Sequence, residues 1–361
     1  MIVKLNDVIA RITGNVDRNN TDLLYYVGGE HYDSAELVIP RMGLLNSDEG
    51  RKLGFKFHFP FQKGDVLFMA RNPHLRKAAM ATENGICSDA SYILRTKDEK
   101  VLRQAYIPIL VQQDAFWDYF EANKTGSVNF LMNWKDLKEY EFKLPSIEEQ
   151  DILCKKVWAA YRLKQEYKKL LASTDELVKS QFIEMFGKHS DVVKLKDVVA
   201  VMDDKRKPIN EGERSSMKEG NLYPYYGATG VVDYINAYLT DERLLCIAED
   251  CGNYGPGEES SYIIEGKAWV NNHAHVVKPN DELCDITYLH NYLKVTDLLP
   301  FVSGTTRKKL TQKAMNDLDI ILPPIDKQRD YVSICDQADK SKFELNQSIQ
   351  DIDKIIRTII Q

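Results

Sequence analysis

The feature that most constrains this 361-residue chain is an internal repeat at half-length. Ile2-Val-Lys-Leu-Asn-Asp-Val-Ile9 returns 190 residues later as Val192-Val-Lys-Leu-Lys-Asp-Val-Val199. Thr125-Gly126, with the stretch that closes on LPSIEEQ at Gln150, returns 178 residues later as Ser303-Gly304 and the stretch that closes on LPPIDKQ at Gln328. Gly126/Gly304, Lys135/Lys313, Leu144/Leu322, Pro145/Pro323, Ile147/Ile325 and Gln150/Gln328 are identical pairs. The offset drifts by about a dozen residues between these anchors, as it would for two equivalent domains with different loops. The order is head (1–145), connector (146–187), head (188–322), connector (323–361).

Each connector has a helical period. At the offset of 178, Val157, Ala160, Lys164, Tyr167, Leu171, Thr174, Val178 and Gln181 align with Cys335, Ala338, Lys342, Leu345, Ile349, Ile352, Ile356 and Ile359. The spacing alternates three and four, a heptad seam interrupted by Lys164, Lys342, Thr174 and Gln181. Ser146-Ile-Glu-Glu149 is a capping box that starts the first helix, Gly187 stops it, and Pro323-Pro324 precedes the second. One seam cannot be buried alone, so the two helices are expected to pack on each other, antiparallel because a whole head separates them. Packing of each helix on its own head is the plainer alternative. A helix from Ser146 to Phe186 would be roughly 60 Å long at about 1.5 Å per residue.

The heads read as mixed, giving an α+β class: two repeated mixed α/β domains joined by two long antiparallel coiled-coil helices. Asp65-Val-Leu-Phe-Met-Ala70 and Leu244-Leu-Cys-Ile-Ala248 are short buried strands, and Tyr262–Glu265 and Ala274–Val277 are further strands bounded by Gly, Asn and Pro. No apolar run approaches the roughly 18 residues of a membrane span, and Met1 to Ile12 lacks a signal-peptide core, so a cytoplasmic protein without membrane contact is expected. Six cysteines without a CxxC pair are read as reduced thiols. The net charge of −6 argues mildly against nucleic acid, and the second head is itself acidic, so any such contact must be a local stripe.

The LPSIEEQ and LPPIDKQ closures, Ser303-Gly-Thr-Thr-Arg-Lys-Lys-Leu310, Tyr223-Pro-Tyr-Tyr-Gly-Ala-Thr-Gly230, Asn271-Asn-His-Ala-His275 and Tyr26-Val-Gly-Gly-Glu-His-Tyr-Asp-Ser34 occur in a characteristic order. In this the chain resembles the specificity subunits of type I restriction-modification systems, over nearly its whole length. The first head departs in one place: Thr125-Gly-Ser-Val-Asn-Phe-Leu-Met132 lacks the basic run of the second. The resemblance implies two target-recognition domains on an antiparallel helical pair, docking methyltransferase subunits and a restriction/translocase subunit. It also implies that S-adenosylmethionine, ATP and Mg are used by those partners and that this chain is a non-catalytic reader of double-stranded DNA. Two unlike heads on a long strut would read a bipartite target up to nearly two turns of B-DNA apart, at about 34 Å per turn.

Candidate readers are Tyr225, Tyr226, Thr229, Asn253, Tyr254, Thr306, Arg307 and Lys308 in the second head, and Arg71, Asn72, His74, Arg76, Lys77 and Asn129 in the first. Asn and Arg can make bidentate base contacts, while Lys, Thr and Gly-rich backbone can hold phosphates. The basic residues could equally be solvated turns. Cys246, Cys251, His273, His275 and Cys284 lack the paired spacing of a zinc site, and a hydrogen-bonded histidine pair fits better. Gly252-Asn-Tyr-Gly-Pro-Gly257 lacks the Lys-Ser/Thr of a phosphate loop. Two other functions stay open: a coiled-coil adaptor for proteins only, and a metal-dependent nuclease, for which no acidic metal cluster is apparent.

Overall fold

The structure, a computed structural model, describes residues 1–72, 75–125, 130–188, 191–250, 252–305 and 307–361. It parts into two compact units, Met1–Lys169 with Leu345–Gln361, and Leu170–Glu344. The boundaries fall inside two long helices, a central one over Ile147–Phe186 and a C-terminal one over Ile325–Ile360.

In the first unit the strands are β1 (Ile2–Lys4), β2 (Ile9–Ile12), β3 (Tyr25–Val27), β4 (Gly43–Leu44), β5 (Phe57–Phe61), β6 (Val66–Met69), β7 (Ala78–Met80), β8 (Gly85–Ser88), β9 (Ser91–Thr96) and β10 (Glu141–Lys143). They form sheets of order β2-β9-β6-β7 and β4-β3-β8-β5, with β1 paired to β10. The second unit has β11 (Val192–Lys194), β12 (Val199–Val201), β13 (Tyr223–Gly227), β14 (Gly230–Ile235), β15 (Thr240–Asp241), β16 (Leu244–Ala248), β17 (Ser261–Ile264), β18 (Lys267–Val270), β19 (Ala274–Pro279) and β20 (Asp319–Ile321). Its sheets run β12-β19-β16-β17 and β14-β13-β18-β15, with β11 paired to β20. The two heads thus have one topology, down to the parallel pairs β3–β8 and β13–β18 among otherwise antiparallel neighbours.

The apolar runs that read as buried strands are central because both of their faces are covered. Val66 and Phe68 point to a core of helices, while Leu67 points to the other sheet with Val27 and Phe61. In β16, Leu245 and Ile247 likewise face helices, while Leu244 and Cys246 face Val270 and Ala268 of the second sheet. Alternate side chains of a strand leave on opposite faces, so an uninterrupted apolar run requires two cores.

The repeated glutamine that closes each head has a structural reason. Gln150 is fully buried; its Oε1 accepts from Arg103 N–H (2.9 Å) and its Nε2 donates to the carbonyls of Val101 (3.0 Å) and Pro145 (2.9 Å). Gln328 repeats this with Asp285 N–H, Leu283 and Pro323, each at 2.8 Å. Each glutamine thus pins the start of a long helix to a head loop. Gln328→Ala leaves three backbone groups without that partner, and a loss of about 3 kcal/mol is expected in urea unfolding; a loss below about 1 kcal/mol would show that water replaces the side chain.

The capping box forms as read, Ser146 N–H donating to Glu149 (2.8 Å) and Glu149 N–H to Ser146 Oγ (3.2 Å). Within the first unit the start of the central helix and the end of the C-terminal helix lie in one core with the head: Val157, Tyr161, Ile352, Ile356 and Ile360 are buried, with Ala160, Tyr167 and Ile359 against them. Within the second, Phe182, Phe186, Tyr331 and Cys335 are buried, with Val178 beside them. The helices are antiparallel, Lys164 pairing with Asp353 (2.7 Å) in one unit and Lys342 with Asp175 (3.2 Å) in the other. The second pair is the image of the first under the 178-residue repeat.

The seam needs one correction. Phe182, not Gln181, enters the core, while Gln181 bonds to Glu184 (3.1 Å). Near a head the helix packs on two surfaces at once, so the stripe widens beyond a strict 3.5-residue period. Trp158, for example, donates its ring N–H to the Ala105 carbonyl of the head (2.9 Å). Packing on the head and packing on the other helix are therefore both realised. Ala338 is buried, whereas Leu171, Leu345 and Ile349 are only half-buried and Thr174 turns its hydroxyl to the Leu170 carbonyl (2.8 Å).

Candidate nucleic-acid interface

The rim of the second head is built where the end of β16 meets a tight turn. Ser303 and Lys309 exchange backbone hydrogen bonds (2.9 and 2.8 Å), and Leu310 N–H donates to the Glu249 carbonyl (2.7 Å), fastening the turn to the strand end. Gly304 has φ +89°, and a Cβ there would stand 2.3 Å from the Arg307 carbonyl oxygen, so only glycine closes the turn.

Charge on this rim is compensated from within. Arg307 donates from Nη2 to Asp250 Oδ2 (2.7 Å), and Lys309 pairs with Glu249 (2.8 Å). Arg206 bonds to Glu249 and pairs with Asp203 (2.9 Å). His273 meets Asp250 at 2.8 Å; His275 meets Asp203 at 2.8 Å and the Leu310 carbonyl at 2.9 Å. Burial disfavours the Glu249 carboxylate, but bonds from Lys309 and Arg206 outweigh it and hold the group below its usual range. Asp203 is held low in the same way, by His275, the Val276 N–H and Arg206 against its burial. Both carboxylates are therefore anionic at neutral pH. Lys308 is exposed and has no ion pair among the described residues.

Of the other candidates here, Thr229 and Asn253 are exposed, and Tyr226 is half-buried with its ring stacked on Tyr262 at 5.4 Å. Tyr225 and Tyr254 are corrections, for both rings fill cores. Tyr225 packs with Ile235 and Trp269, and Tyr254 donates its hydroxyl to the Ala248 carbonyl (3.2 Å). Polar-tipped aromatics flanked by glycine resemble readers in a sequence, but strand alternation turns Tyr225 inward. Thr306 lies outside the described residues, as do Cys251, His74 and Asn129.

The first head has a corresponding rim. Thr125 and Leu131 exchange backbone bonds (2.9 Å each), and Met132 N–H donates to the Ala70 carbonyl (2.9 Å). By these bonds Ala70-Arg71 takes the place of Glu249-Asp250, and an isolated bridge joins Arg71 to Leu131 as Asp250 is joined to Lys309. The charge pattern is inverted: Arg71 is exposed on the strand-end side, where the second head has acids. Asn72 follows at φ +55°, its N–H on the Phe130 carbonyl (3.0 Å). Arg76 and Lys77 are corrections. Arg76 pairs with Asp114 (2.5 Å) at the start of the helix Asp114–Asn123, and Lys77 donates to the Gly29 carbonyl (2.7 Å). Both charges are engaged by the head itself.

Sequence reasoning missed Asp203, Arg206, Glu249 and Asp250. An acidic pair directly after an all-apolar strand does mark a strand-end rim, but nothing in the sequence said which cations would meet it. Among the described residues no group of three or more His, Cys, Asp or Glu is arranged to hold a metal ion, and no helix is long and apolar enough to cross a membrane.

Comparison with known proteins agrees with this architecture. Residues 188–354 match the family model of the type I restriction modification DNA specificity domain. A curated Haemophilus influenzae protein named as a type I restriction enzyme specificity subunit is 34% identical over 145 residues, which cover 39% of this chain and only 35% of that protein. Among solved structures, a type I restriction-modification S subunit from M. genitalium superposes with a TM-score of 0.61 at 14% identity, over 100% of this chain and 94% of that one. A chain from a study of complex assembly and conformational transition of the type I system gives 0.58 at 19% identity, over 100% and 96%. At these identities the two likenesses speak for the fold. The likeness in sequence to the type I restriction modification DNA specificity domain is thus carried by residues 188–354, the second head and most of the C-terminal helix.

Proposed function

We propose that this chain is the sequence-reading subunit of a type I restriction-modification complex. The observation that carries the reading is the pair of heads with one topology and opposite rim chemistry: Arg71 stands in one where Asp250 stands in the other. Two equivalent but chemically unlike rims suit a bipartite, asymmetric DNA target. In this reading residues 1–145 and 188–322 are the recognition domains and 146–187 and 323–361 the connectors. Methyltransferase and restriction/translocase subunits dock on the chain, bringing S-adenosylmethionine, ATP and Mg, and the assembly works in the cytoplasm. Catalysis is assigned to those partners.

The test is to map adenine methylation in cells carrying the methyltransferase subunit of the same system, with and without this chain. A split motif methylated only in its presence is the expected result. Methylation independent of the chain would favour the protein-only adaptor, and metal-dependent DNA cleavage by the highly purified chain would favour the nuclease.

A further inference from the structure

We infer that Asp250 is a positioning residue that aims Arg307 at the O6 and N7 edge of a guanine, an inference that rests on the DNA-reading role above. A guanidinium presents two edges that each carry two N–H donors. The single bond from Nη2 to Asp250 Oδ2 engages one of these hydrogens and leaves the other two-donor edge whole. Arg307 is 59% exposed, whereas Asp250 is only 13% exposed and also bonded to His273, so the carboxylate is the fixed member and the guanidinium the presented one. Fixing a long side chain in advance reduces the entropy lost when it binds.

Charge decides what the free edge takes. A fork of two donors fits phosphate and guanine alike. A carboxylate 2.7 Å from the guanidinium, however, cancels much of its attraction for an anion and repels that anion directly. A neutral guanine edge meets no such repulsion. Lys308, exposed and without an ion pair among the described residues, is left to hold the adjacent phosphate. Because Arg71 replaces Asp250 in the first head, this reader belongs to the second half-site alone.

The experiment uses the full chain assembled with its methyltransferase subunit, on the duplex motif found by methylation mapping and on every single-base substitution of it. Arg307→Ala and Arg307→Lys are expected to lose discrimination at one guanine by about 5- to 150-fold, and Asp250→Ala to lose it at the same position. Asp250→Asn, which keeps the shape and so guards against a folding defect, should lower that discrimination while tightening binding to mismatched DNA and steepening the salt dependence, since the arginine charge is released. Lys308→Ala should reduce the salt slope by about one and leave the preference unchanged. The inference is overturned if the Asp250 variants weaken all sequences equally with the preference intact, or relax a base position other than that of Arg307. In either case a wild-type chain that still selects its motif leaves the DNA-reading role standing; a wild-type chain with no sequence preference removes both.

Discussion

Lys164→Ala will destabilise the first unit by about 3–5 kcal/mol, because it strips a buried carboxylate of its main counter-charge. The Lys164 ammonium, 9% exposed, lies 2.8 Å from Glu36, itself 12% exposed, and 2.7 Å from Asp353. Tyr161 donates its hydroxyl to the other Glu36 oxygen (2.9 Å), and Lys168 adds a weaker contact (3.2 Å). One lysine thus ties a head loop to both long helices within this unit. Burial opposes charge on Glu36, but Lys164, Lys168 and Tyr161 outweigh it and hold the carboxyl below its usual range. Lys164 is raised above its usual value, Asp353 and Glu36 outweighing its own burial.

The pH dependence follows from these directions. Glu36, lower in the folded state, contributes stability that is present above its unfolded value, about 4.3, and is lost as pH falls through the folded one. Lys164, higher in the folded state, contributes stability that is present below its unfolded value, about 10.4, and is lost as pH rises through the folded one. The wild-type plateau should therefore lose this contribution at both ends, and the alkaline loss should be absent from the variant. Glu36→Gln with Lys164→Met should recover most of the stability, since a neutral well-packed replacement of a buried ion pair is often tolerated. The repeat supplies a control: Lys342 is 23% exposed and its partners Asp175 and Asp339 are 63% and 70% exposed, so Lys342→Ala should cost about 1 kcal/mol or less. Urea unfolding followed by tryptophan emission reports on this, because Trp117, Trp134 and Trp158 lie in the first unit and Trp269 in the second. Equal effects at Lys164 and Lys342 would show that burial is not what gives the ion pair its strength.

The second large effect is expected at Phe186. Its ring is 2% exposed, with centroids 5.3 Å from Phe182, 5.5 Å from Tyr288 and 5.7 Å from Tyr331. These four rings join the central helix, the C-terminal helix and the helix Ile286–Val295 of the second head. Removing a buried phenyl ring costs about 3–5 kcal/mol when the neighbours cannot collapse into the space, and four interlocked rings cannot. Phe186→Leu, which refills much of the volume, should cost clearly less. The loss should appear in the Trp269 transition, and, on the proposed function, the variant assembled with the methyltransferase subunit should also lose methylation of the mapped motif as the second head detaches from its helices. Retention of wild-type stability by Phe186→Ala would mean that the cluster tolerates a cavity and that the head is held by other contacts.

By itself the sequence determined the repeat, the helical period of both connectors, the capping box at Ser146 and the short buried strands within Asp65–Ala70 and at Leu244–Ala248. These are local properties: period, cap and strand length are set by residues within a turn or two of each other, and such information survives in one dimension. The glutamines of the two closures were visible as identical residues, yet their role, two hydrogen bonds to a loop more than forty residues away and a third to the proline just before the helix, was not. The rim was legible only in part. The basic run at Arg307 and the cation at Arg71 are visible in the sequence, whereas the burial of Tyr225 and Tyr254 and the pairing of Arg76 with Asp114 are not. Only the tertiary structure decided which charges meet: Glu36 with Lys164, Asp250 with Arg307, and Arg71 in the place of an aspartate. Each of these pairings joins residues far apart in the chain, and their partners are chosen by sheet topology and by the face each strand turns outward, neither of which a charge pattern along the sequence records.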